Sequence, residues 1–296
     1  CTNDMALGVN SVAYTLMLNE RGGIESDITV ARHDKESFMI MSSISNTHRD
    51  RIYLQNQISI DEDITLRDVT TSYAIISIAG PKSNSLLAAV SNLDFTNNVF
   101  PHNCIKKFYV GHAPVFAQKL SYTGELGWEI FVTPDFAEHV FETIFFEGQK
   151  FNLGLVGGEA LNALRIEKGF LHWGHDMSYT NSPHQVGLDF ICKTNKAIPF
   201  IGREAYLRNK LASKGPFLCH VKLNAVKPLL HHNEPILRDG NEVGYVTSGT
   251  FAYSQNASVG ICLINSDDKT TIEDGKYVVM VEGEAIQSTL SLKPFC

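Results

Sequence analysis

Residues 121–132 read Ser121-Tyr-Thr-Gly-Glu-Leu-Gly-Trp-Glu-Ile-Phe-Val132. The segment begins as a turn that carries carboxylates, and Gly127–Val132 is rich in strand-forming residues. Glu129 interrupts this otherwise apolar strand. A carboxylate inside a strand must be solvated on an outer face or paired within a site. Glu129 is therefore either a solvent-facing strand residue or part of a binding site.

Around this segment, the chain up to residue 214 mixes strand and helix candidates. The clearest helix follows Thr133, which can cap it, with Pro134 in the first turn and Asp135 at the positive end of the helix. Strands are predicted at 12–18, 28–32, 37–43, 73–79, within 107–120 and at 127–132, and helices at 82–90, from 134, at 158–168 and from about 202.

The pattern of predicted secondary structure changes at Lys214-Gly215-Pro216, after which no strong helix pattern occurs. Short strands separated by turn signals such as Asp239-Gly240-Asn241 suit a small barrel or sandwich. These strands are predicted at 217–223, 235–238, 243–248, 258–264, 276–282 and 285–290. We therefore expect an α+β portion to about residue 214 and then an all-β module.

Composition excludes several classes of protein. With 44% hydrophobic and 19% charged residues, the 296-residue chain can bury sizeable cores. Lys plus Arg number 25 against 32 Asp plus Glu, and no basic run reaches three residues, which argues against nucleic-acid binding. No apolar stretch approaches the ~20 residues that span a bilayer, so we expect no membrane partner. The cysteines are too dispersed for a zinc-type pair and indicate a reducing intracellular compartment.

Several common chemistries lack their motifs. The glycines of Gly154-Leu-Val-Gly-Gly158 do not form a dinucleotide-binding pattern, and the chain contains neither a P-loop nor a nucleophile elbow. His172, His175 and Asp176 lie close in sequence, but no third distant ligand accompanies them by motif, so a structural or substrate-site role is favoured over a metal. We therefore predict no metal site.

Two carboxylates stand out against this background. Asp27 follows an Arg21-Gly22-Gly23 turn, and Glu129 lies beside Tyr122 and Trp128. The pattern of residues alone favours an outward-facing Glu129 on a half-buried strand. The alternative is a pterin or purine site, because a carboxylate accepts two parallel N–H bonds from an aminopyrimidinone edge.

Six ordered motifs then carry a family resemblance across nearly the whole chain. The segments 14–30 and 122–129 resemble the two folate motifs of the glycine-cleavage T-protein (aminomethyltransferase) family. The segment Leu164-Arg-Ile-Glu-Lys-Gly-Phe-Leu-His-Trp-Gly-His-Asp176 is more narrowly similar to the C-terminal folate-binding region of dimethylglycine and sarcosine dehydrogenases. The segments 199–205, 244–249 and 291–295 fit the same group.

The resemblance implies an aminomethyltransferase-like folate-binding region over residues 1–214, with subdomains at about 1–70 and 71–214, followed by a C-terminal β-barrel domain at 215–296. It implies tetrahydrofolate as cofactor and an N-methyl amine-derived substrate, whose one-carbon unit is transferred to give 5,10-methylenetetrahydrofolate. Asp27 is the implied catalytic residue, acting as a general base beside the reactive folate nitrogens. The implied cofactor-binding residues are Tyr14, Tyr122, Trp128, Glu129 and Trp173.

Two departures from the T protein itself are present. Leu161 stands where the T protein has a folate-contacting arginine, and this favours the dehydrogenase branch. The usual Asp-Asp pair is also changed, since Ser26 precedes Asp27. Arg165 is retained, but in a helix it could equally form an internal salt bridge with a nearby Glu. The resemblance thus leaves glycine cleavage itself unsupported.

The resemblance also sets expectations about what surrounds this chain. Its start at Cys1 matches the middle of the first folate-site domain, so we expect an N-terminally truncated domain and an FAD domain, if there is one, before Cys1. Contact with an FAD domain or electron-transfer partner, and a bacterial cytoplasm or mitochondrial matrix, follow from the same comparison. Two alternatives remain, a non-catalytic regulatory subunit of this fold and a free-standing folate-dependent demethylase.

Overall fold

A computed structural model of the protein describes residues 1–295. In this range the chain forms strands and α-helices with the following bounds: β1 Val12–Leu18, β2 Ile24–Arg32, β3 Phe38–Met41, α1 Thr47–Gln55, β4 Ala74–Ala79, α2 Ser83–Val90, β5 Ile105–Val110, β6 Ala113–Gln118, β7 Gly127–Val132, α3 Pro134–Gly148, α4 Gly158–Glu167, α5 Arg203–Ala212, β8 Phe217–Leu223, β9 Pro235–Arg238, β10 Asn241–Ala252, β11 Ala257–Ile264, β12 Tyr277–Val281 and β13 Glu284–Ser291.

The chain forms two compact units that interleave in sequence. One comprises Cys1–Asp4, Thr15–Asp27 and Val156–Cys296, and the other comprises Met5–Tyr14 and Ile28–Leu155. The predicted boundary between residues 214 and 215, and the subdivision near residue 70, stay predictions.

The unit that contains Ile28–Leu155 is built on an antiparallel sheet with the strand order β4-β7-β6-β5. One face of the sheet packs against α2 and α3. The core between them includes Trp128 and Ile130 of β7, Leu87 of α2 and Val140 of α3, all of them fully buried. Alternate residues of β6 and β7 therefore point away from this core, onto the opposite face.

The other unit contains a closed antiparallel barrel with the strand order β10-β11-β8-β13-β12-β9. Its interior is filled by aliphatic and aromatic side chains, among them Phe217, Val221, Ile236 and Val279. This arrangement confirms the predicted fold class, an α+β region followed by a small C-terminal barrel, and selects the barrel over the sandwich.

Several elements differ from the sequence prediction, and strand β2 begins at Ile24, four residues before its predicted start. Helix α1 is not predicted, since its sequence THRDRIYLQ lacks an apolar stripe and buries only Asp50. Strand β10 is longer than predicted because a bulge between Val246 and Ser248 lets it continue past an irregularity in its pairing with β11. None of the helices within residues 1–295 combines the length and the apolar character needed to cross a membrane.

His220 on β8 is a titratable group that the fold keeps from water. Its neighbours Cys219 and Val221 face the barrel core, so His220 points outward, where the turn at Gly169 and the side chain of Pro294 cover it to 6% exposure. Burial lowers the pKa of His220 to about 4, although the negative charge of Asp176 opposes the shift.

We predict that the protein loses stability below pH 6.5 partly through His220. In the unfolded chain His220 has an ordinary pKa near 6.5, so it takes up a proton that the folded protein excludes until about pH 4. The free energy of unfolding should therefore fall by about 2 kcal/mol between pH 7 and pH 5 through this group alone. Urea unfolding of His220→Gln should lack that decrement, whereas the exposed control His48→Gln should keep it. Equal pH dependence in both variants would contradict the prediction.

Candidate functional site

Glu129 lies on β7 opposite Gln118 of β6 and Ser77 of β4. Its carboxylate is half-buried, and its Oε2 accepts a hydrogen bond from Gln118 Nε2 at 2.5 Å. Burial raises the pKa of Glu129, while the hydrogen bond from Gln118 acts in the opposite direction. The sheet thus holds the carboxylate through a neutral amide, and none of the salt bridges described within residues 1–295 involves Glu129.

The face of the sheet that carries Glu129 is aromatic at one end. Phe116 and Phe131 pair in register two residues away from Gln118 and Glu129, and their rings stack with centroids 4.6 Å apart. Tyr73 packs edge-on against Phe116 at 5.3 Å. Both phenylalanines are buried, so this aromatic cluster fixes the face next to Glu129 and Gln118.

Trp128 lies on the opposite face from Glu129. Its ring is fully buried in the core, contacts Phe100 with centroids 4.6 Å apart, and donates from Nε1 to Asn84 Oδ1 at 3.1 Å. The structure therefore separates two predicted cofactor-binding residues that adjoin in sequence. Trp128 can support Glu129 only through the strand that both residues share.

Tyr122 precedes β7 in a loop that is organised by its own hydroxyl groups. The side chains of Ser121 and Thr123 lie 2.8 Å apart, and each accepts a hydrogen bond from a backbone N–H of the loop. The ring of Tyr122 is 38% exposed on this loop. Tyr14 is half-buried on β1. Tyr14 and Tyr122 are thus both partly exposed to solvent.

Asp27 lies on β2, where buried and half-buried residues alternate, and it is half-buried like Glu25 and Thr29. The turn before this strand is fixed by Asn19, whose Oδ1 accepts from the N–H groups of Arg21 and Gly23. Gly23 is required because a Cβ there would lie 1.9 Å from the carbonyl oxygen of Tyr179. The strand that carries Asp27 therefore starts from a tightly specified turn.

Trp173 is attached to the same strand. Its indole Nε1 donates to the carbonyl oxygen of Ile24 at 2.9 Å, three residues before Asp27. The N–H of Ile24 in turn donates to the carbonyl of Asn181 at 3.0 Å. Two of the predicted site residues are thus linked by β2, because Asp27 lies on this strand and the side chain of Trp173 donates to its backbone.

A buried ion pair holds the segment that contains Trp173. The guanidinium of Arg165, on α4, contacts Asp176 Oδ2 at 2.6 Å, and both side chains are almost completely buried. Asp176 Oδ1 accepts from the hydroxyls of Thr247 at 2.5 Å and Ser248 at 2.8 Å, while Oδ2 also accepts from the N–H of His172. The alternative that Arg165 pairs with a nearby Glu is wrong, because its partner is Asp176.

The bulge in β10 explains why two consecutive hydroxyls reach one carboxylate. Successive residues of a regular strand point to opposite faces. Thr247 is the extra residue between Val246 and Ser248, and it breaks this alternation. Asp176 is consequently satisfied by four donors, which offsets the cost of burying its charge.

The histidines of this segment form no metal centre. The rings of His172 and His175 lie 4.7 Å apart between centroids, and Asp176 is fully engaged by its structural partners. Across residues 1–295, no group of three or more His, Cys, Asp or Glu side chains is arranged to hold a metal ion.

Gln118 is the site residue that sequence reasoning missed. It closes the apolar strand β6 and is 1% exposed, but a glutamine at the end of an apolar run resembles an ordinary strand terminus. Only the register of β6 against β7 brings it to Glu129. If the pairing of β6 with β7 had been known, a buried amide opposite a carboxylate within a strand would have identified Gln118 as a candidate site residue.

Comparisons with known proteins assign the family. The GCVT N-terminal domain matches residues 1–196, and the glycine cleavage T-protein C-terminal barrel domain matches residues 218–296. The chain therefore belongs to the glycine cleavage T-protein family, as the sequence motifs predicted.

The similar curated proteins are longer than this chain. It is 30% identical over 296 residues to the 4-methylaminobutanoate oxidase (formaldehyde-forming) of Paenarthrobacter nicotinovorans, covering 99% of this chain and 35% of the relative. It is 29% identical to the mitochondrial pyruvate dehydrogenase phosphatase regulatory subunit of Mus musculus, over 99% of this chain and 35% of the relative. It is 32% identical to the mitochondrial dimethylglycine dehydrogenase of Mus musculus, over 87% of this chain and 30% of the relative. The chain thus spans about a third of these relatives.

The fold is that of a solved aminomethyltransferase. The crystal structure of aminomethyltransferase T of the glycine cleavage system from Bartonella henselae superposes with a TM-score of 0.82 at 22% identity. The match covers 98% of this chain and 77% of that chain. At this identity the likeness establishes the architecture alone.

We predict that Asp176→Ala destabilises the protein strongly, because it leaves the buried guanidinium of Arg165 without its counter-charge. The free energy of unfolding should fall by about 3–5 kcal/mol. Urea unfolding measures this loss, and the exposed Asp267→Ala serves as the matched control, expected to change stability by less than about 0.5 kcal/mol. A similar small change in Asp176→Ala would show that the ion pair is not a structural element.

Proposed function

We propose that this member of the glycine cleavage T-protein family binds tetrahydrofolate and transfers to it a one-carbon unit from an N-methyl amine-derived substrate. The observation that carries the proposal is the half-buried Glu129, an in-strand carboxylate whose sheet partner is the amide of Gln118. In a purely structural strand such a carboxylate would be solvated or paired with a cation.

Glu129 suits the pyrimidine edge of a pterin. That edge presents parallel N–H donors, and a carboxylate accepts two of them in one plane. Burial makes the ionised carboxylate costly, so each donor that a ligand contributes is worth more there than in water. Because the pKa of Glu129 is raised, we expect pterin binding to weaken as pH falls and the carboxylate becomes protonated.

Asp27 is the proposed general base. Bound tetrahydrofolate would supply the nitrogen nucleophile that accepts the one-carbon unit as 5,10-methylenetetrahydrofolate. Asp27 would orient that folate nitrogen and take up its proton as the first C–N bond forms, and its negative charge would favour a cationic iminium substrate. The second C–N bond to folate would form as the bond from the one-carbon unit to the donor amine breaks, and Asp27 would return the proton to the departing amine. The tight turn at Gly23 and the indole contact of Trp173 restrict the motion of the strand that carries it.

We further propose that this chain corresponds to the one-carbon acceptor region of an amine-demethylating dehydrogenase. The lengths of the relatives support this, since dimethylglycine dehydrogenase is about three times as long as the match. In this proposal FAD and the oxidation of the amine belong to a different region or partner. A mitochondrial matrix or bacterial cytoplasm would fit relatives of both origins.

For Glu129 we predict that alanine substitution weakens tetrahydrofolate binding by about 30- to 100-fold, because two hydrogen bonds to a charged acceptor are lost. Isothermal titration calorimetry under anaerobic conditions measures the change. Glu138→Ala, on the exposed surface of α3, is the control that should bind like the wild type. Unchanged tetrahydrofolate affinity in Glu129→Ala would contradict the assignment of Glu129 to the pterin site.

For Asp27 we predict a loss of turnover with folate binding retained. Asp27→Asn keeps the shape and polarity of the side chain but cannot accept a proton, so 5,10-methylenetetrahydrofolate formation should fall by about 10²–10⁴-fold. Tetrahydrofolate affinity should stay within about threefold. Product is measured by absorbance or chromatography after adding formaldehyde with a secondary amine as the source of the one-carbon unit. Wild-type rates in the variant would exclude Asp27 as the base.

A regulatory role is the second candidate, favoured by the 29% identity to a phosphatase regulatory subunit. It predicts that the wild-type chain binds folate but yields no methylene product from any amine-derived donor. The turnover measurement on the wild type therefore separates the two functions.

A further inference from the structure

Several buried side-chain atoms lack a hydrogen-bond partner within residues 1–295, and one of them, in Gln118, adjoins the carboxylate of Glu129. Gln118 is 1% exposed, and its Oε1 atom has no hydrogen-bond partner within residues 1–295. Buried side-chain oxygens in folded proteins are nearly always paired, so an unpaired one calls for a cause.

The orientation of the amide follows from its neighbour. Gln118 Nε2 donates to Glu129 Oε2 at 2.5 Å. Rotating the amide by half a turn would set its oxygen against the carboxylate, which is an unfavourable contact between two acceptors while Glu129 is ionised. The carboxylate therefore fixes the NH2 group towards itself and leaves the amide oxygen as an adjacent, unfilled acceptor.

Gln118 and Glu129 together carry three acceptor oxygens. They occupy paired positions on neighbouring strands and lie on the same face of the sheet. One carboxylate oxygen already accepts from Gln118, but it retains a second lone pair. An aminopyrimidinone edge carries one ring N–H and two N–H bonds on its 2-amino group. Glu129 can accept two of these three donors, and the third donor requires another acceptor.

We propose that Gln118 is a specificity-determining residue, whose Oε1 accepts the remaining N–H of the ligand's 2-amino group. This inference rests on the proposed function, because it takes a pterin as the ligand. Glu129 would supply most of the affinity. Gln118 would discriminate against rings in which the amino group is replaced by hydrogen, methyl or oxygen, since these leave its buried oxygen unfilled.

The test is a two-by-two binding experiment. Tetrahydrofolate and its 2-desamino-2-methyl analogue are titrated calorimetrically into the wild type and into Gln118→Met, which matches the side-chain length without an acceptor. The wild type should prefer tetrahydrofolate, and Gln118→Met should lose about tenfold in affinity for tetrahydrofolate but little for the analogue. The preference for the 2-amino group should thus shrink about tenfold in the variant.

Two further variants keep the outcome interpretable. Gln287→Met, at an exposed position on β13, is the matched control and should keep the wild-type preference. If Gln118→Met does not fold, Gln118→Asn retains the amide but withdraws it by one methylene, and it should lose the preference in the same way.

The results separate this inference from the proposed function. If Gln118→Met weakens both ligands equally, or neither, Gln118 does not read the 2-amino group and the inference fails. If the inference about Gln118 fails but Glu129→Ala still weakens tetrahydrofolate binding, the proposed folate site is retained and only the role of Gln118 is rejected. If the wild type binds neither ligand, the proposed function itself fails.

Discussion

The buried contact between Arg165 and Asp176 is the interaction on which the surrounding segments depend. A desolvated ion pair is stable only when every remaining donor and acceptor is satisfied. Here helix α4 supplies the cation, and the bulge of β10 supplies two hydroxyls. The segment between them is consequently fixed in place, and its Trp173 holds the backbone of β2 at Ile24. The position of Asp27 on β2 thus depends in part on this buried charge pair.

The second carboxylate is held by different physics. Glu129 needs no cation, because its strand neighbour Gln118 donates to it and the sheet fixes both backbones. Sites on strands are more rigid than sites on loops, which suits recognition of a planar ring. The exposed Tyr122, by contrast, is carried on a loop that contains local hydroxyl contacts and whose Leu126 carbonyl accepts from the N–H of Gly80. The two predicted site residues therefore differ in their support, because Glu129 lies on a strand and Tyr122 on a loop.

The sequence predicted the elements well where a local pattern suffices. Turn signals and short apolar runs gave the barrel strands, and the resemblance motifs agree with the family assignment. Contacts that depend on register were not predictable. The pairing of Gln118 with Glu129, the bulge at Thr247 and the partner of Arg165 all arise from segments far apart in the chain. The alternation of side chains along a strand already implies that Trp128 and Glu129 lie on opposite faces. The sequence prediction nevertheless placed both residues in one cofactor site, because Trp128 is adjacent to Glu129 and is aromatic. The roles of the predicted site residues stay predictions.

The alternation within β7 has a consequence for how such a protein can evolve. Trp128 fills the core and Glu129 faces away from it, so inserting or deleting a single residue in this strand would exchange the indole and the carboxylate. A buried charge and an exposed indole would follow together, and neither could be repaired by one substitution. A change in the chemistry of β7 that keeps its core packing is therefore expected to come from substitution at constant length.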